Sequence, residues 1–450
     1  MGHLRHMKEE YQELVARLNA GQVGLPEPEA APARKGWQDI LEILYTREEA
    51  WLGARMPLMP AGLRTIAHRV GLSEEALKPR LEAMADKGIV MDLVNPDTGE
   101  TRYLMSPPVV GFFEFSMMRH DDLIPTQRMA EALDAYTHGD DTFAREVFGG
   151  DTVIGRAMVH ETALGDGIVP EVLDWERATA AIRDASNIAV QTCYCRHKAA
   201  HLGKQCDAPV DTCMSLNAGA DFVVRHKLGR PAETSEALEI LSQARARGLV
   251  QIADNVQNRP TYLCNCCGCC CGQLQPINDF GLPAVNPSGF QPGLHLEHCK
   301  GCSRCARACP ITAISMLPHR VAAKRKNDLT PQIDADRCIG CGVCADTCLN
   351  GAMIMERRTQ QPYVPLNTIE RSVRMALERG KLPHLLFDMG ASRGSRFLNS
   401  VMRALCALSP VERLLASEQV RSRFVRYALQ TTHDPTETSL TGSDTLHIAR

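Results

Sequence analysis

Apolar residues recur at the three- and four-residue spacing of amphipathic helices in three stretches near the N-terminus. We predict the first helix over residues 37–52, the second over 63–70 with Gly71 ending it, and the third from Ser73, whose hydroxyl is placed to cap it. The next segment, IVMDLVNPDTGETRYLMSP, has two short apolar strands around a turn and predicts a hairpin. Helices followed by a hairpin indicate a winged-helix-like domain over residues 36–112, preceded by a helical arm and a Pro/Ala linker at 1–35.

The middle of the chain, residues 113–289, repeats a pattern in which an amphipathic helix leads into a short apolar strand. The pattern occurs in VLDWERATAAIRDASNIAVQTCYC and again in SEALEILSQARARGLVQIAD. Each strand runs toward a group of cysteines, so we expect the two groups to meet at the ends of neighbouring strands. This segment is predicted to be a mixed α/β cysteine-rich domain.

Residues 290–360 hold two cysteine repeats, and the chain from 361 to 450 turns helical again. Between residues 391 and 430 the helical pattern carries seven arginines and two glutamates, which predicts a basic amphipathic tail. Such a tail can bind an anionic membrane surface or a partner protein, or it can be an ordinary solvated face. The whole pattern predicts an α+β multidomain protein with a helical C-terminal tail.

Composition limits the location and partners of the chain. Its 450 residues are 44% hydrophobic and carry a formal net charge of −3, so no global basic field attracts nucleic acid or membrane. The predicted third helix has four acidic and three basic residues, a poor face for phosphates, and nucleic-acid binding is not expected. The sequence shows neither the apolar core of a signal peptide nor an apolar run of membrane-spanning length. We expect a cytoplasmic protein, with peripheral membrane contact through the basic tail as an option.

Cysteine is the residue type that changes this picture most. The chain has 19 cysteines, and 18 of them lie between Cys193 and Cys348. Disulfides are rare in a reducing compartment, so the clustering indicates metal binding. The remaining cysteine, Cys406, is interpreted as a core-filling residue of a helix.

Two runs, CKGCSRCARACP and CIGCGVCADTC, share the spacing C-x2-C-x2-C-x3-C and lie 39 residues apart. The spacing is that of paired [4Fe–4S] clusters, in which the fourth cysteine of each run binds the other cluster. Zinc ribbons use paired C-x2-C motifs and do not need a third and a fourth cysteine at this spacing. The predicted ligands are Cys299, Cys302, Cys305 and Cys348 for the first cluster, and Cys338, Cys341, Cys344 and Cys309 for the second. The module resembles the bacterial two-cluster ferredoxins over about 60 residues.

A third cysteine group precedes this module in CYCRHKAAHLGKQCDAPVDTC. Four thiolates suffice for a third [4Fe–4S] cluster. Here they are Cys193, Cys195, Cys206 and Cys213. His197 and His201 lie four residues apart and share a helical face, where they would act either as ligands of iron or zinc or as hydrogen-bond donors beside the cluster.

The densest run, CNCCGCCC, supplies six cysteines: Cys264, Cys266, Cys267, Cys269, Cys270 and Cys271. Neighbouring side chains of an extended segment point to opposite sides, so six thiols cannot all face one cubane without the turns that Gly268 and Gly272 permit. Three interpretations stay open. The run binds a fourth cluster, it completes the third while some earlier cysteines serve elsewhere, or it builds an unusual cluster for substrate chemistry. Its CCG triplet is weakly similar to the cysteine-rich motif of heterodisulfide reductase catalytic subunits.

Together, the two cysteine stretches, the dicluster module, the winged-helix-like region and the basic tail resemble the iron–sulfur proteins of anaerobes known as 4Fe-4S ferredoxins, over about residues 36–430. The resemblance implies electron transfer through three or four [4Fe–4S] clusters, as a component of an oxidoreductase system rather than a stand-alone enzyme. Because we find no G-x-G-x-x-G motif after a strand and no G-x4-G-K-[ST] motif, we expect a flavin or metal oxidoreductase subunit as the redox partner. The alternatives are a redox-sensing winged-helix DNA-binding regulator, and an oxidoreductase with a catalytic unusual cluster at Cys264–Cys271.

Overall fold

The middle of the chain folds into a seven-stranded sheet in the computed structural model, which describes residues 8–165, 172–318 and 329–386. Its strands are β4 (Gly155–Met158), β5 (Ile188–Gln191), β6 (Cys213–Leu216), β7 (Gly229–Pro231), β8 (Val250–Asp254), β9 (Tyr262–Cys266) and β10 (Val285–Asn286). The strand order is β10-β4-β8-β9-β6-β5-β7, and every neighbouring pair is antiparallel except β10 with β4. The chain is mixed α/β, as predicted.

Helices cover both faces of this sheet because side chains alternate along each strand. The helices of this part are α6 (Phe113–Met117), α7 (Thr126–His138), α8 (Thr142–Phe148), α9 (Ala178–Arg183), α10 (Tyr194–His201), α11 (Ala218–Arg225), α12 (Thr234–Ala246) and α13 (Gln275–Phe280). Val190 and Leu263 face α9 and α12, whereas Ala189 packs on the other face against Phe222 of α11.

The two predicted helix–strand units are present as α9–β5 and α12–β8. The sequence patterns did not reveal β6 and β9, which both contain cysteines. Cys213 begins β6, while Cys264 and Cys266 lie inside β9. Both segments are short and are paired on both sides within the sheet.

From residue 8, where the described structure begins, three helices precede the first strand: α1 (Glu9–Asn19), α2 (Ala31–Leu44) and α3 (Arg47–Gly53). Helix α2 begins inside the predicted Pro/Ala linker, since Pro32 is favourable in a first helical turn and Trp37 is fully buried. The single helix predicted over 37–52 is divided, because Thr46 and Glu49 form a capping box that starts α3.

A small antiparallel sheet follows, with order β1-β3-β2. Its elements are β1 (Ala61–Gly62), α4 (Leu63–Val70), α5 (Glu74–Asp86), β2 (Val90–Val94) and β3 (Thr101–Met105). Helix α4 ends at Gly71, which has a φ of 71°, and the Ser73 hydroxyl accepts a hydrogen bond from the Ala76 amide. Pro79 lies inside α5 without ending it. The winged-helix-like interpretation of residues 36–112 stays a prediction.

An ionic cluster fastens this N-terminal sheet to α11. Asp92 of β2 accepts hydrogen bonds from the Arg225 guanidinium and pairs with His226, which also contacts Asp86 of α5. Burial opposes ionisation of Asp92, but the bonds from His226 and Arg225 outweigh it and hold the pKa of Asp92 below its usual value. The N-terminal sheet is therefore packed against the cysteine-rich part.

The described residues between 290 and 357 form two two-stranded sheets, β11 with β14 and β12 with β13, and each cysteine run contains a short helix just before its fourth cysteine. The elements are β11 (Phe290–Leu294), α14 (Arg304–Ala308), β12 (Ile314–Pro318), β13 (Leu329–Ile333), α15 (Val343–Asp346) and β14 (Met353–Arg357). Helices α16 (Thr368–Glu378) and α17 (Leu382–Leu386) follow. The predicted basic tail and Cys406 lie outside the described residues. Among the helices that are described, none is both long and apolar enough to span a membrane.

Candidate metal centres

Eight cysteines of the 290–360 segment surround two small cavities of about 20 Å³ each. The first cavity is lined by Cys299, Cys302, Cys305 and Cys348. The second cavity is lined by Cys309, Cys338, Cys341 and Cys344. Each cavity thus takes three cysteines from one run and the fourth from the other. This is the grouping that the spacing predicts, and its ligand roles stay predictions.

Glycines let each run fold closely around its cavity. Gly301 and Gly342 have positive φ angles of 64° and 86°, which side chains other than glycine rarely adopt. A Cβ atom on Gly340 would lie 2.1 Å from the Phe290 carbonyl oxygen, so only glycine fits there. Apolar side chains such as Ile314 and Met355 complete the wall of the second cavity.

The donor set of both cavities suits a cubane. Thiolates are the ligands that iron–sulfur clusters use, and backbone amides that point at their sulfurs stabilise the negative charge. The amide of Ala313 donates to Cys309 Sγ at 3.2 Å, and that of Met353 donates to Cys348 Sγ at 3.4 Å. Burial raises the pKa of Cys341 to about 12, so metal binding there must release a proton.

A second assembly of cysteines lies outside this module and forms a closed, largely buried ring of six thiols. Each thiol interacts with the thiols on either side of it, in the order Cys193, Cys195, Cys271, Cys266, Cys264 and Cys213. We call this group the six-cysteine ring. The pKa values alternate around it. Interaction with the neighbouring thiols lowers the pKa values of Cys193, Cys271 and Cys264, and it raises those of Cys195, Cys266 and Cys213 together with burial.

The ring forms because four of its cysteines lie at one end of the seven-stranded sheet. Strand β5 ends at Gln191, which pairs with Cys213 at the start of antiparallel β6. Strand β9 is antiparallel to β6, so its last residues come to the same end. Cys264 and Cys266 are two residues apart in β9 and therefore share a face. Cys193 lies two residues after the end of β5.

The other two ring members come from the elements that cover this end of the sheet. Cys193 is the N-cap residue of α10, and Cys195 lies in the first turn of that helix. Cys271 belongs to the turn after β9, and the amide of the next residue, Gly272, donates to Cys195 Sγ at 3.3 Å. The turn is thereby held against the helix that carries Cys195.

The four remaining cysteines form a separate group: Cys206, Cys267, Cys269 and Cys270. Their sulfur atoms all lie within 4.8 Å of one another, and we call them the four-cysteine group. The sequence-based set of Cys193, Cys195, Cys206 and Cys213 is thus only partly brought together, because the structure places Cys206 in the other group. This agrees with the interpretation in which some early cysteines serve elsewhere, while the ligand roles stay predictions.

Arg196 lies between the two groups and is only 1% exposed. Its guanidinium donates to the carbonyl oxygens of Pro209 and Asn265 and to the Thr212 hydroxyl. Burial works against its charge, but the neighbouring thiols of Cys193, Cys213 and Cys267 outweigh this and raise the pKa of Arg196. A cation fixed in this position offsets negative charge in both groups.

The two histidines singled out from the sequence do share one face of α10. His197 Nε2 lies 3.2 Å from His201 Nε2, and His197 Nδ1 lies 2.7 Å from the Met117 carbonyl oxygen. His201 Nδ1 lies 3.1 Å from Gln127 Oε1. The structure thus pairs these rings with each other and with α6 and α7.

The second cavity and the cysteine turn are in backbone contact. A Cβ atom on Gly268 would lie 2.2 Å from the carbonyl oxygen of Pro310, the residue after Cys309. The Asn278 amide donates to the carbonyl oxygens of Gly268 and Pro310, at 3.4 and 3.1 Å. Arg337, which precedes Cys338, donates to Asn278 Oδ1 at 3.0 Å. Asn278 therefore bridges the two cysteine-bearing regions.

Comparison with known protein families identifies one part of the chain. Residues 298–352, which include all eight cysteines around the two cavities, match the 4Fe-4S dicluster domain. Neither the curated proteins nor the solved structures include a match to the chain. The family match and the cysteine-rich stretches together show that the chain is an iron–sulfur protein with a ferredoxin-type dicluster domain.

Proposed function

We propose that the protein is an electron-transfer component in which the dicluster domain and the six-cysteine ring form one relay to a partner oxidoreductase. When bound, [4Fe–4S] clusters supply one-electron transfer. The observation that supports the proposal most is the backbone contact of Gly268 with Pro310, which brings the second cavity beside the turn that carries Cys271. Two cysteine-bearing regions held this closely are well placed for electron transfer between the clusters that they would bind.

The two cavities and the six-cysteine ring differ in how deeply their cysteines are buried. This difference suggests the order in which electrons pass between them. In the first cavity Cys302 is exposed, whereas Cys341 and Cys344 of the second cavity are buried. In the six-cysteine ring five thiols are buried and only Cys264 is of intermediate exposure. We therefore propose that the first cavity is the port to the partner, the second an intermediate and the ring the inner end.

The surface around the port has features that suit a protein partner. Lys300 and Arg304 beside Cys302 are exposed, and Leu349 beside Cys348 is 75% exposed. An apolar side chain among cationic ones fits a partner surface that is acidic at its rim, since complementary charge steers association. We propose a flavin or metal oxidoreductase subunit of this charge as the partner.

The six-cysteine ring is proposed to hold a third cluster, giving a relay of three clusters. Its donor atoms are the soft sulfur ligands that iron–sulfur clusters require. Arg196 and the Gln273 amide, which donates to Cys271 Sγ at 3.4 Å, supply positive charge and a hydrogen bond. Burial of the ring keeps water from these ligands.

The proposal is tested with Gly268→Ala in protein purified without oxygen. The added methyl group must push the cysteine turn away from Pro310, because backbone atoms occupy its place. We expect an unchanged iron content, and slower reduction of the ring's cluster when a reduced flavoprotein donates electrons. Freeze-quench EPR measures this rate.

Gly165→Ala is the matched control, since a Cβ atom at Gly165 meets open space. In this variant the ring's cluster should be reduced at the same rate as in the unaltered protein. Equal rates in both variants would contradict a relay through the Gly268–Pro310 contact.

One observation keeps an oxidoreductase function as a second candidate. A cavity of about 60 Å³ lies between α7, α8 and α13, and both Cys195 of the ring and Cys270 of the four-cysteine group border it. Lys198 and His138 also line it. Small thiols or disulfides that change the EPR spectrum of the ring's cluster would favour catalysis here, and unchanged spectra would favour electron transfer alone.

The DNA-binding alternative has less support from the described surface. The exposed residues of α5 include Glu75 and Glu82 as well as Lys78 and Arg80, so charges of both signs alternate on that face. A face of mixed charge gains little from DNA phosphates. We therefore do not extend the proposal to nucleic acid.

A further inference from the structure

The four-cysteine group is more compact than the other cysteine sites. Cys206 Sγ lies 3.7 Å from Cys267 Sγ, and Cys269 Sγ lies 3.6 Å from Cys270 Sγ. All four sulfur atoms lie within 4.8 Å of one another. In the part of the chain that the structure describes, no other set of three or more potential metal ligands is this closely spaced.

This spacing matches one metal ion rather than a cubane. Four thiolates about 2.3 Å from a tetrahedral ion lie about 3.8 Å from one another. In a cubane each terminal thiolate binds a different iron, so the sulfurs lie farther apart. The dicluster domain provides an internal comparison, because its eight cysteines line cavities and none of them forms such a compact set.

We propose that Cys206, Cys267, Cys269 and Cys270 bind a single tetrahedral metal ion, with zinc as the ion that fits a closed four-thiolate site. The inference goes beyond the electron-transfer function and does not depend on it. Zinc is redox-inactive and favours four thiolate ligands in structural sites. The site would therefore fix local structure.

The chain shapes this site from two segments. Cys206 lies in the loop between α10 and β6, and the other three ligands lie in the turn after β9. The Cys271 amide donates to the Cys267 carbonyl oxygen at 3.3 Å, which closes the turn. Gln275 Nε2 donates to the Cys269 carbonyl oxygen at 3.1 Å and ties the turn to α13.

Strand alternation explains why neighbouring cysteines serve different sites. Cys266 is the last residue of β9 and belongs to the six-cysteine ring, while Cys267 points away from it into the four-cysteine group. After Gly268 the turn brings Cys269 and Cys270 back toward Cys267. An ion that joins these to Cys206 would hold the loop before β6 in register with the turn after β9. The ring residue Cys213 follows that loop at the start of β6, and the ring residue Cys271 lies in that turn.

The electrostatics fit an ion with four thiolates. Such a centre has a net charge of about −2, from one divalent ion and four thiolates. The buried Arg196 side chain interacts with Cys267 and so supplies a compensating positive charge. Cys269 is exposed at the outer edge, so the ion could enter from solvent.

The test compares Cys269→Ala with Cys302→Ala, since both thiols are exposed and belong to different sites. Protein purified without oxygen is analysed for zinc, iron and acid-labile sulfide. We expect Cys269→Ala to lose about one zinc per chain and neither iron nor sulfide. Cys302→Ala should keep the zinc and lose about four irons and four sulfides. These expected zinc and iron contents do not depend on electron transfer between the sites. They would be the same if the proposed relay were wrong.

Three results decide the inference. Loss of one zinc, or of one iron without sulfide, in Cys269→Ala supports a single-ion site and identifies the ion. Loss of about four irons and four sulfides in that variant overturns it. If Cys269→Ala does not accumulate, the unaltered protein is produced with Co²⁺, where a tetrahedral thiolate–cobalt absorption supports the site and its absence overturns it.

Discussion

Cys348→Ala is expected to remove about four irons and four sulfides from the cavity that Cys299, Cys302 and Cys305 line, although Cys348 belongs to the second run. The structure gives the reason, because Cys348 reaches across to the first cavity while Cys309 reaches to the second. Loss of one thiolate opens the cubane to water and leaves an iron without its protein ligand. Iron and sulfide analysis of anaerobic protein measures the loss.

Double variants separate this arrangement from one in which each run holds its own cluster. Cys302→Ala with Cys348→Ala should lose about four irons, as either single variant does, because both changes affect one cluster. Cys302→Ala with Cys309→Ala should lose about eight, because the changes affect two clusters. The opposite pattern, with eight irons lost in the first pair and four in the second, would show that the fourth cysteines are not exchanged.

Arg196→Met is expected to empty the cysteine sites of the middle domain while the dicluster domain keeps its iron. The guanidinium joins the loop before β6 to the end of β9 through its bonds to Pro209, Thr212 and Asn265. Removing one partner of a buried ionic contact costs about 3–5 kcal/mol. Methionine fills much of the volume but supplies neither the charge nor the hydrogen bonds. We expect an iron content near the eight of two cubanes, measured together with the urea midpoint of unfolding.

Two further variants act as controls for Arg196. Arg196→Lys keeps the charge but lacks the planar guanidinium that binds several acceptors, so an intermediate loss of iron is expected. Arg64→Met changes an arginine whose side chain is 92% exposed and should leave both iron content and stability unchanged. Full iron content in Arg196→Met would show that this cation is not needed to hold the cysteine groups.

The dicluster domain could be predicted from sequence because its ligands are local. Three cysteines of each run lie within seven residues, and their spacing alone determines which side of the chain they share. The family match over residues 298–352 confirms the domain. Its glycines also follow from local geometry, since positive φ at Gly301 and Gly342 is a property of the turn itself.

The grouping of the other ten cysteines could not be predicted, because it depends on how distant segments pair in the sheet. Cys213 meets Cys264 only because β6 and β9 are neighbours, and no local pattern gives that order. The separation of Cys266 from Cys267 does follow from strand alternation, but only once the run is known to begin inside a strand.

Among the helix boundaries of the N-terminal part, likewise, one was predicted from the sequence and another was missed. The cap at Ser73 was predicted from a local signal, and the structure contains its hydrogen bond to Ala76. The break at Thr46 was missed although Thr46 and Glu49 have the spacing of a capping box, because the apolar pattern continues across it. Here the capping signal outweighs hydrophobic periodicity.

We propose that the six-cysteine ring holds a third cluster besides the two of the dicluster domain. The decisive measurement is the iron and acid-labile sulfide content of anaerobically purified protein. We expect about twelve of each per chain, because two cubanes fill the dicluster domain and the ring holds one further cluster. About eight of each, with the thiols of the ring free to react with a thiol reagent after unfolding in denaturant, would contradict it.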